Sequence, residues 1–385
     1  MGNHASALKP SPHLRVLHVY RTYLPETRGG VEHAIFQLCE TLPREGITAD
    51  VFTLSDSGAG EVAVGGHRVH RARRDWAPAS TDLSASGIGR FRRLARHYDL
   101  LHYHFPWPYM DLAHFLGAGG RPALATYHSD IIRQRFLLHF YRPLMDRFLG
   151  AMARIIVTSP EYAASSPVLA RFREKLRVIP FGLDEQAAPR ADEARLAAWR
   201  ARVGEGFFLF VGVLRYYKGL EFLIEAVRGT GHRLVIAGDG PMRGRLEGLA
   251  ARPGMPPVVF TGRIEEQDKA ALFALCRAFV FPSHLRSEAF GVSLLEAALY
   301  GRAMVSCEIG TGTSFVNRGG ETGLVVPPAD PPALRAALDR LAGDDALVRT
   351  MGAAARRRFE RHFRAAAMAA THAALYREII LARRR

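Results

Sequence analysis

The chain has 385 residues, 48% of them hydrophobic and 23% charged, with 52 Lys and Arg against 37 Asp and Glu for a net charge of +15. That length exceeds what one hydrophobic core usually serves, and the composition excludes disordered and fibrous classes, so two globular domains are expected. No run approaches the roughly 18 apolar residues of a membrane span, and residues 1–14 lack the apolar stretch of a secretory signal, so the expected location is the cytoplasm.

Apolar, β-rich runs alternate with helical patterns along the whole chain. The first candidate strand, 15–20, leads into Arg28-Gly29-Gly30-Val31-Glu32 and a helical pattern over 31–42. Further strand candidates follow at 50–54, 100–105, 123–128, 154–158 and 177–180. His102 and His104 alternate on the strand at 100–105, which reads as a strand face near a cleft. The strand at 123–128 runs into Thr126-Tyr127-His128-Ser129-Asp130. A polar, Ala- and Arg-rich stretch at 184–202 precedes a second series of strands at 207–211, 233–237, 258–261, 278–281, 303–306 and 324–326. Helical patterns at 220–228 and 294–299 lie between them, and beyond Pro332 the pattern is helical alone, at 333–341, 346–362 and 366–383.

Most of these strands are apolar without alternation, as parallel strands covered on both faces are. Alternating βα units predict doubly wound α/β architecture. The expectation is two Rossmann-like domains facing a cleft: residues 1–190, to which a C-terminal helix at 363–385 returns, and residues 191–362. Ligands of such sheets bind beyond the carboxyl ends of the strands, so the loops after each strand are where chemistry is sought.

The strongest such loop is Ser287-Glu288-Ala289-Phe290-Gly291-Val292-Ser293-Leu294-Leu295-Glu296, after the strand at 278–281. Gly291 permits close backbone approach to a ligand, and the amides after it open a helix whose positive end suits a phosphate. Each carboxylate accepts two hydrogen bonds, which fits vicinal hydroxyls, one carboxylate for a sugar and one for a ribose. A second loop, Gly212-Val213-Leu214-Arg215-Tyr216-Tyr217-Lys218-Gly219, offers Arg215 and Lys218 to neutralise a departing pyrophosphate. No two aspartates stand one residue apart, and the histidines form no metal-ligand set by spacing, so neither metal nor other cofactor is expected. Cys39, Cys276 and Cys307 are far apart and read as buried free thiols.

Glu288, Phe290, Gly291 and Glu296 match the E-x-F-G-x-x-x-x-E signature of the retaining glycosyltransferases of family four, which have the two-domain GT-B fold. The chain resembles that family over residues 14–380, most firmly in the second half. The resemblance implies that Glu288 contacts the donor hexose, that the backbone of Ala289, Phe290, Gly291 and Val292 meets hexose and phosphate, and that Glu296 holds the ribose. Lys218 falls on the family's lysine. The family's arginine position is Val213 here, with Arg215 the nearest replacement. Gly29 and Gly30 resemble the glycine loop against the donor phosphates, His128 the cleft histidine, and Ile264 part of the segment at the nucleobase. Segments such as 127–134, 141–145, 158–160, 214–219 and 308–315 are similar to bacterial mannosyltransferases of lipopolysaccharide O-antigen assembly. They imply GDP-mannose as donor and a polyprenyl-diphosphate-linked sugar as acceptor. UDP-glucose, UDP-GlcNAc or GDP-rhamnose as donor, or a nucleotide-sugar epimerase of the same fold, are the alternatives.

The basic charge has its own reading. Between 133 and 154, Arg133, Arg135, Arg142, Arg147 and Arg154 interleave with Phe136, Leu137, Leu138, Phe140, Tyr141 and Phe148, and the chain ends in Arg383-Arg384-Arg385. Such helices suit an anionic membrane surface, and equally the packing of an apolar side on the protein's own sheet. A nucleic-acid partner is not expected, since paired glutamates in a cleft repel a phosphate backbone. A nicotinamide dehydrogenase would carry G-x-G-x-x-G at the first strand–helix turn, which is absent.

Overall fold

The computed structural model describes residues 13–77, 81–131 and 135–384. Of the residues and segments read above, Arg133 with its neighbours Ile132 and Gln134 in the segment 127–134, and Arg385, lie outside them, as do the first twelve residues and the side chains of Arg135, Phe136, Leu137 and Arg384. The strands are β1 (Leu14–Val19), β2 (Ile47–Ser55), β3 (Gly60–Val64), β4 (His67–Arg73), β5 (Leu100–Phe105), β6 (Ala123–Tyr127), β7 (Ile155–Val157), β8 (Leu176–Val178), β9 (Phe208–Val211), β10 (Leu234–Ala237), β11 (Val258–Gly262), β12 (Ala278–Phe281), β13 (Met304–Cys307) and β14 (Gly323–Val326). The helices are α1 (Gly30–Thr41), α2 (Gly87–Ala95), α3 (Pro108–Gly117), α4 (Arg135–Ala151), α5 (Pro160–Ser165), α6 (Glu193–Val203), α7 (Leu220–Val227), α8 (Arg243–Ala250), α9 (Glu266–Leu275), α10 (Val292–Leu299), α11 (Gly312–Val316), α12 (Pro331–Gly343), α13 (Asp345–His362) and α14 (Ala365–Arg384).

The strands form two sheets, ordered β3-β4-β2-β1-β5-β6-β7-β8 and β11-β10-β9-β12-β13-β14. Every pairing is parallel except β3 with β4. In each sheet the order reverses beside the first strand of the series, at β1/β5 and at β9/β12, and a reversal of this kind opens a crevice at the strands' carboxyl ends. This is the two-domain α/β architecture expected from the alternating pattern. The β3–β4 hairpin departs from that expectation. At the sheet edge β3 buries no residue fully and alternates half-buried with exposed positions, so it lacks the continuous apolar run that marks the inner strands.

Parallel strands need helices on both faces, and the helix ends are specified locally. Asp192, Asp330 and Asp344 each accept a backbone N–H of the first turn, of Arg195, Ala333 and Leu347, starting α6, α12 and α13. The second sheet has one core, from Leu183 to Phe363, with Phe210, Phe281, Leu294 and Leu338 all within 1% of full burial. The first sheet has a core on each face, and one of them takes Met368, Ala369, Ala373, Tyr376 and Ile379 from α14. The last helix therefore belongs to the first sheet, although it follows the second in sequence. Its route back crosses the outgoing chain where Leu183 N–H donates to the Phe363 carbonyl and Ala365 N–H to the Leu183 carbonyl, at 2.9 and 3.0 Å. The three cysteines are buried and free. No described helix is long and apolar enough to cross a membrane.

Candidate active site

Each segment that carried chemistry in the sequence lies at the carboxyl end of a strand. After β9 the chain makes a tight turn through Tyr216–Lys218 and leaves it at Gly219 with φ of 68°. A Cβ on Gly219 would collide with the Pro282 carbonyl oxygen, so a left-handed glycine brings this turn against the strand end that carries the glutamate loop. Lys218 and Glu288 thereby form an ion pair, with side chains 11% and 12% exposed. The Lys218 ammonium also lies 4.5 Å from the centre of the Phe281 ring, a cation–π contact that pins it beside the loop.

Glu296, eight residues on, meets a different cation. Lys269 of α9 bonds Glu296 Oε1 at 2.5 Å and Glu266 Oε2 at 2.7 Å. Burial works to lower the Lys269 pKa, but Glu296 and Glu266 outweigh it and carry the ammonium above the ordinary lysine value. Between the two glutamates Gly291, with φ of 85°, starts α10 and leaves its first turn without a side-chain cap. Uncapped amides at a helix start form an anion site, here flanked by two carboxylates that are each already paired with a lysine. The arrangement can hold a diphosphate at its centre with a polyhydroxylated group on either side.

The first domain closes over this site. Gly30 at the start of α1 faces Val292, whose Cγ2 is 3.3 Å from where a Cβ on Gly30 would stand. His33, on the same helix, senses both Glu296 and Lys269; burial lowers its pKa first, with Glu296 opposing and Lys269 adding to the shift. Two residues before Glu288, Arg286 donates to Asp130 Oδ2 at 3.2 Å, Ser165 Oγ at 3.0 Å and the Gly310 carbonyl at 2.8 Å. Asp130 accepts in addition from Tyr127 and Ser166. Phe290 is 2% exposed and packs edge-on against Phe181, ring centres 5.2 Å apart. The loop that carries Glu288 is thus held by both domains.

His128 follows β6, 6% exposed, with its ring centre 5.7 Å from that of Phe181, the same ring that packs on Phe290. Its Nε2 lies 2.9 Å from His104 Nδ1, and His104 Nε2 lies 3.0 Å from His18 Nδ1. Burial drives the His128 pKa down to about 3, so the ring is neutral. His102 is corrected by the structure. It is fully buried and bonds Thr126 and Tyr376 of α14, so its ring belongs to the core between sheet and helix. Spacing had suggested no metal-ligand set, yet the fold brings ligand atoms of His18, His102 and His104 within 4.8 Å of one another. Neighbouring strands set at one height bring distant residues together in a way spacing cannot express.

Of the other expected residues, Arg215 is exposed beside Tyr217, whose phenol pKa is raised by burial and then by Glu288, against Arg215. Val213 is 37% exposed, and Ile264 packs on the second core from the loop before α9. Gly29 caps α1. Sequence reading missed Lys269, Arg286, Asp130 as a partner, His33 and His18. The alternation of His102 and His104 was the one signal for the histidine cluster, and the position of Arg286 beside Glu288 the one signal for the interdomain link.

The α3–α4 face also differs in part from expectation. Phe148, Leu149 and Met145 of α4 are buried in the first-domain core, so much of the helix's apolar side packs on its own sheet. Leu112, Phe115 and Leu116 of α3, Phe140 of α4 and Leu381 of α14 are exposed instead, at 45%, 43%, 55%, 70% and 59%. Arg147 lies over the Phe115 ring at 5.8 Å.

With this geometry, comparison with known proteins assigns the class. A family model described as Glycosyltransferase Family 4 matches residues 28–187, and one described as Glycosyl transferases group 1 matches residues 192–358. The chain is 53% identical over 353 residues to D-rhamnosyltransferase WbpZ of Pseudomonas aeruginosa, covering 91% of this chain and 93% of that protein. It is 45% identical over 368 residues to O-antigen chain mannosyltransferase C of Escherichia coli, covering 95% and 99%. Among solved structures, sucrose-phosphate synthase of Thermosynechococcus elongatus superposes with a TM-score of 0.80 at 23% identity over 96% of this chain and 100% of that one. Anabaena HepE, in complex with UDP and glucose, gives 0.75 at 19% over 94% and 99%. The chain belongs to the family-four glycosyltransferases and has the GT-B fold. It is a glycosyltransferase.

Proposed function

We propose that this glycosyltransferase moves mannose from GDP-mannose, with retention of configuration and without a metal, to a polyprenyl-diphosphate-linked sugar in O-antigen assembly. The observation that carries the reading is the uncapped start of α10 between two lysine-paired glutamates. The diphosphate sits on the amides after Gly291, Glu296 takes the ribose hydroxyls and Glu288 the hexose hydroxyls. Lys218, with Arg215 at the rim, meets the negative charge that grows on the leaving diphosphate, the role a metal fills elsewhere. Departure and acceptor attack occur on one face of the sugar, and His128 positions the hexose from the opposite wall. The names of the 53% and 45% identical relatives support a sugar of the mannose series and an O-antigen setting. D-rhamnose from its GDP derivative is a specific second reading, favoured by the 53% identical relative. The two sugars differ by the oxygen at C6.

A nucleotide-sugar panel tests the proposal, read by thermal shift and by transfer to a synthetic lipid-diphosphate sugar. GDP-mannose is expected to stabilise the protein and yield an α-linked product by NMR, with activity unchanged in EDTA. Transfer from GDP-D-rhamnose alone decides for the second reading. Use of UDP sugars only, a β-linked product, or loss in EDTA restored by Mn²⁺ would each overturn the corresponding part. An epimerised nucleotide sugar released without acceptor would overturn transfer itself.

A further inference from the structure

Behind His128 the first domain contains a run of buried imidazoles. Ring centres are 5.1 Å apart for His104 and His128, 5.3 Å for His18 and His104, and 4.6 Å for His102 and His104. His102 has both nitrogens engaged by hydroxyls, at 2.7 Å each. His18, His104 and His128 are joined to one another only through ring nitrogens: His18 Nδ1 to His104 Nε2 at 3.0 Å, then His104 Nδ1 to His128 Nε2 at 2.9 Å. Burial depresses the pKa of all three far below the ordinary histidine value, so each is neutral and carries one N–H.

In such a chain each link uses one N–H and one lone pair, so the tautomers are interlocked. Only two arrangements satisfy both links. In one, His128 donates inward from Nε2, His104 donates to His18, and His18 Nε2 carries a proton. In the other, His18 donates outward from Nδ1, His104 donates to His128, and His128 carries its proton on Nδ1. The inner end decides between them. His18 Nε2 is fully covered and has no partner. Protein interiors tolerate an under-used acceptor better than an orphaned N–H, so the arrangement that leaves His18 Nε2 bare is preferred. At the outer end, His128 Nδ1 is not among the fully covered unpaired atoms and has no protein partner among the described residues. It is the ring nitrogen left open, since Nε2 is engaged by His104.

We propose that His104 and His18 are positioning residues that lock His128 in its Nδ1–H tautomer, so that the cleft wall presents a neutral hydrogen-bond donor to an oxygen of the bound nucleotide sugar. The inference rests on the reading of His128 as a wall of the donor site. A hydroxyl can satisfy either tautomer, but an anionic or developing oxyanion accepts only from an N–H. The chain therefore sets the sign of what the cleft offers, two residues away from the surface.

Long-range ¹H–¹⁵N NMR of the histidine side chains in the full protein, without ligand at neutral pH, tests the lock directly, with His128→Gln used for assignment. A protonated Nδ1 and an acceptor-type Nε2 on His128 are expected. An Nε2–H tautomer, an imidazolium, or stoichiometric zinc held by His18, His102 and His104 would overturn it. His104→Leu removes the N–H given to His128. It should lower kcat about 10-fold to 100-fold, the scale of a misplaced site group, while leaving GDP affinity unchanged, and His128 should lose its single tautomer. Wild-type kcat with an unchanged His128 spectrum in this variant would refute the lock. If His104→Leu does not fold, the wild-type spectrum still decides. Addition of GDP-mannose separates the two levels. Unmoved His128 signals on a saturated protein would count against the donor-site reading, whereas the tautomer is read before any donor is present.

Discussion

Glu288 and Glu296 share a loop and a helix but not a partner, and that difference separates their expected roles. Glu288 is paired with Lys218, itself at the proposed leaving group, and Ser283 Oγ is 3.5 Å away. Glu296 is paired with Lys269, on the helix that follows the segment expected to meet the nucleobase. Glu296→Gln should weaken free GDP binding by about 1.5–3 kcal/mol, the worth of hydrogen bonds to a charged group. Glu288→Gln should leave GDP binding intact and lower kcat about 100-fold. Lys218→Ala should lower kcat more than it raises the donor KM, since its contact strengthens as the diphosphate leaves. Calorimetry with GDP beside steady-state kinetics checks all three, and a reversed pattern for the two glutamates would exchange their roles. These positions were legible from sequence because the E-x₇-E spacing straddles a glycine at a helix start. Lys269 was not, because nothing local to 266–275 marks a lysine as the partner of a glutamate 27 residues on.

At the scale of elements, the segment between β12 and α10 is where the domains meet. Arg286 reaches from it into the first domain, to Asp130 and Ser165, while Ala289 packs on the first-domain core and Phe290 on Phe181. Because the Arg286–Asp130 pair is only partly exposed, at 28% and 13%, it is screened less than a surface pair. Arg286→Ala should leave GDP affinity near wild type, lower kcat about tenfold and widen the solution scattering envelope. Asp130→Asn should do the same, and the two should couple by about 0.5–3 kcal/mol in a double-mutant cycle. Strictly additive effects would mean that the pair is no clasp. Elements with a strong period were readable: the predicted strand at 100–105 and the helix at 346–362 coincide with β5 and α13 to within a residue. The β3–β4 hairpin was not, since an edge strand half open to water carries no continuous apolar run.

For the whole molecule, we propose a membrane-facing side on the first domain, from its placement of charge and apolar surface. Phe115, Leu116 and Leu112 stand exposed on α3, Phe140 on α4 and Leu381 on α14. Arg121 and Arg383 line the hollow between α3 and α14. A basic surface with protruding apolar side chains suits an anionic bilayer, as a lipid-linked acceptor would require. The protein should co-sediment with phosphatidylglycerol vesicles at low salt and much less with phosphatidylcholine vesicles. The variant Phe115→Ser/Leu116→Ser should lose this binding while keeping turnover on a short-chain soluble acceptor. Equal partition onto both vesicle types would remove the electrostatic part of the reading.

Sequence alone determined the α/β class, the two series of βα units and the glutamate–glycine loop, because each is written in local period or in residues a few positions apart. It also determined that both sheets are covered, since most of their strands are apolar on both sides. Tertiary structure decided the rest, namely which lysine answers which glutamate, that Arg286 joins the domains, that α14 returns to cover the first sheet, and that His102 belongs to the core while His104 leads to the cleft. All of these depend on the height at which parallel strands and their loops are set beside one another. That height is fixed by long-range pairing and packing, such as the alignment of His18 with His102 across β1 and β5, and no local pattern encodes it.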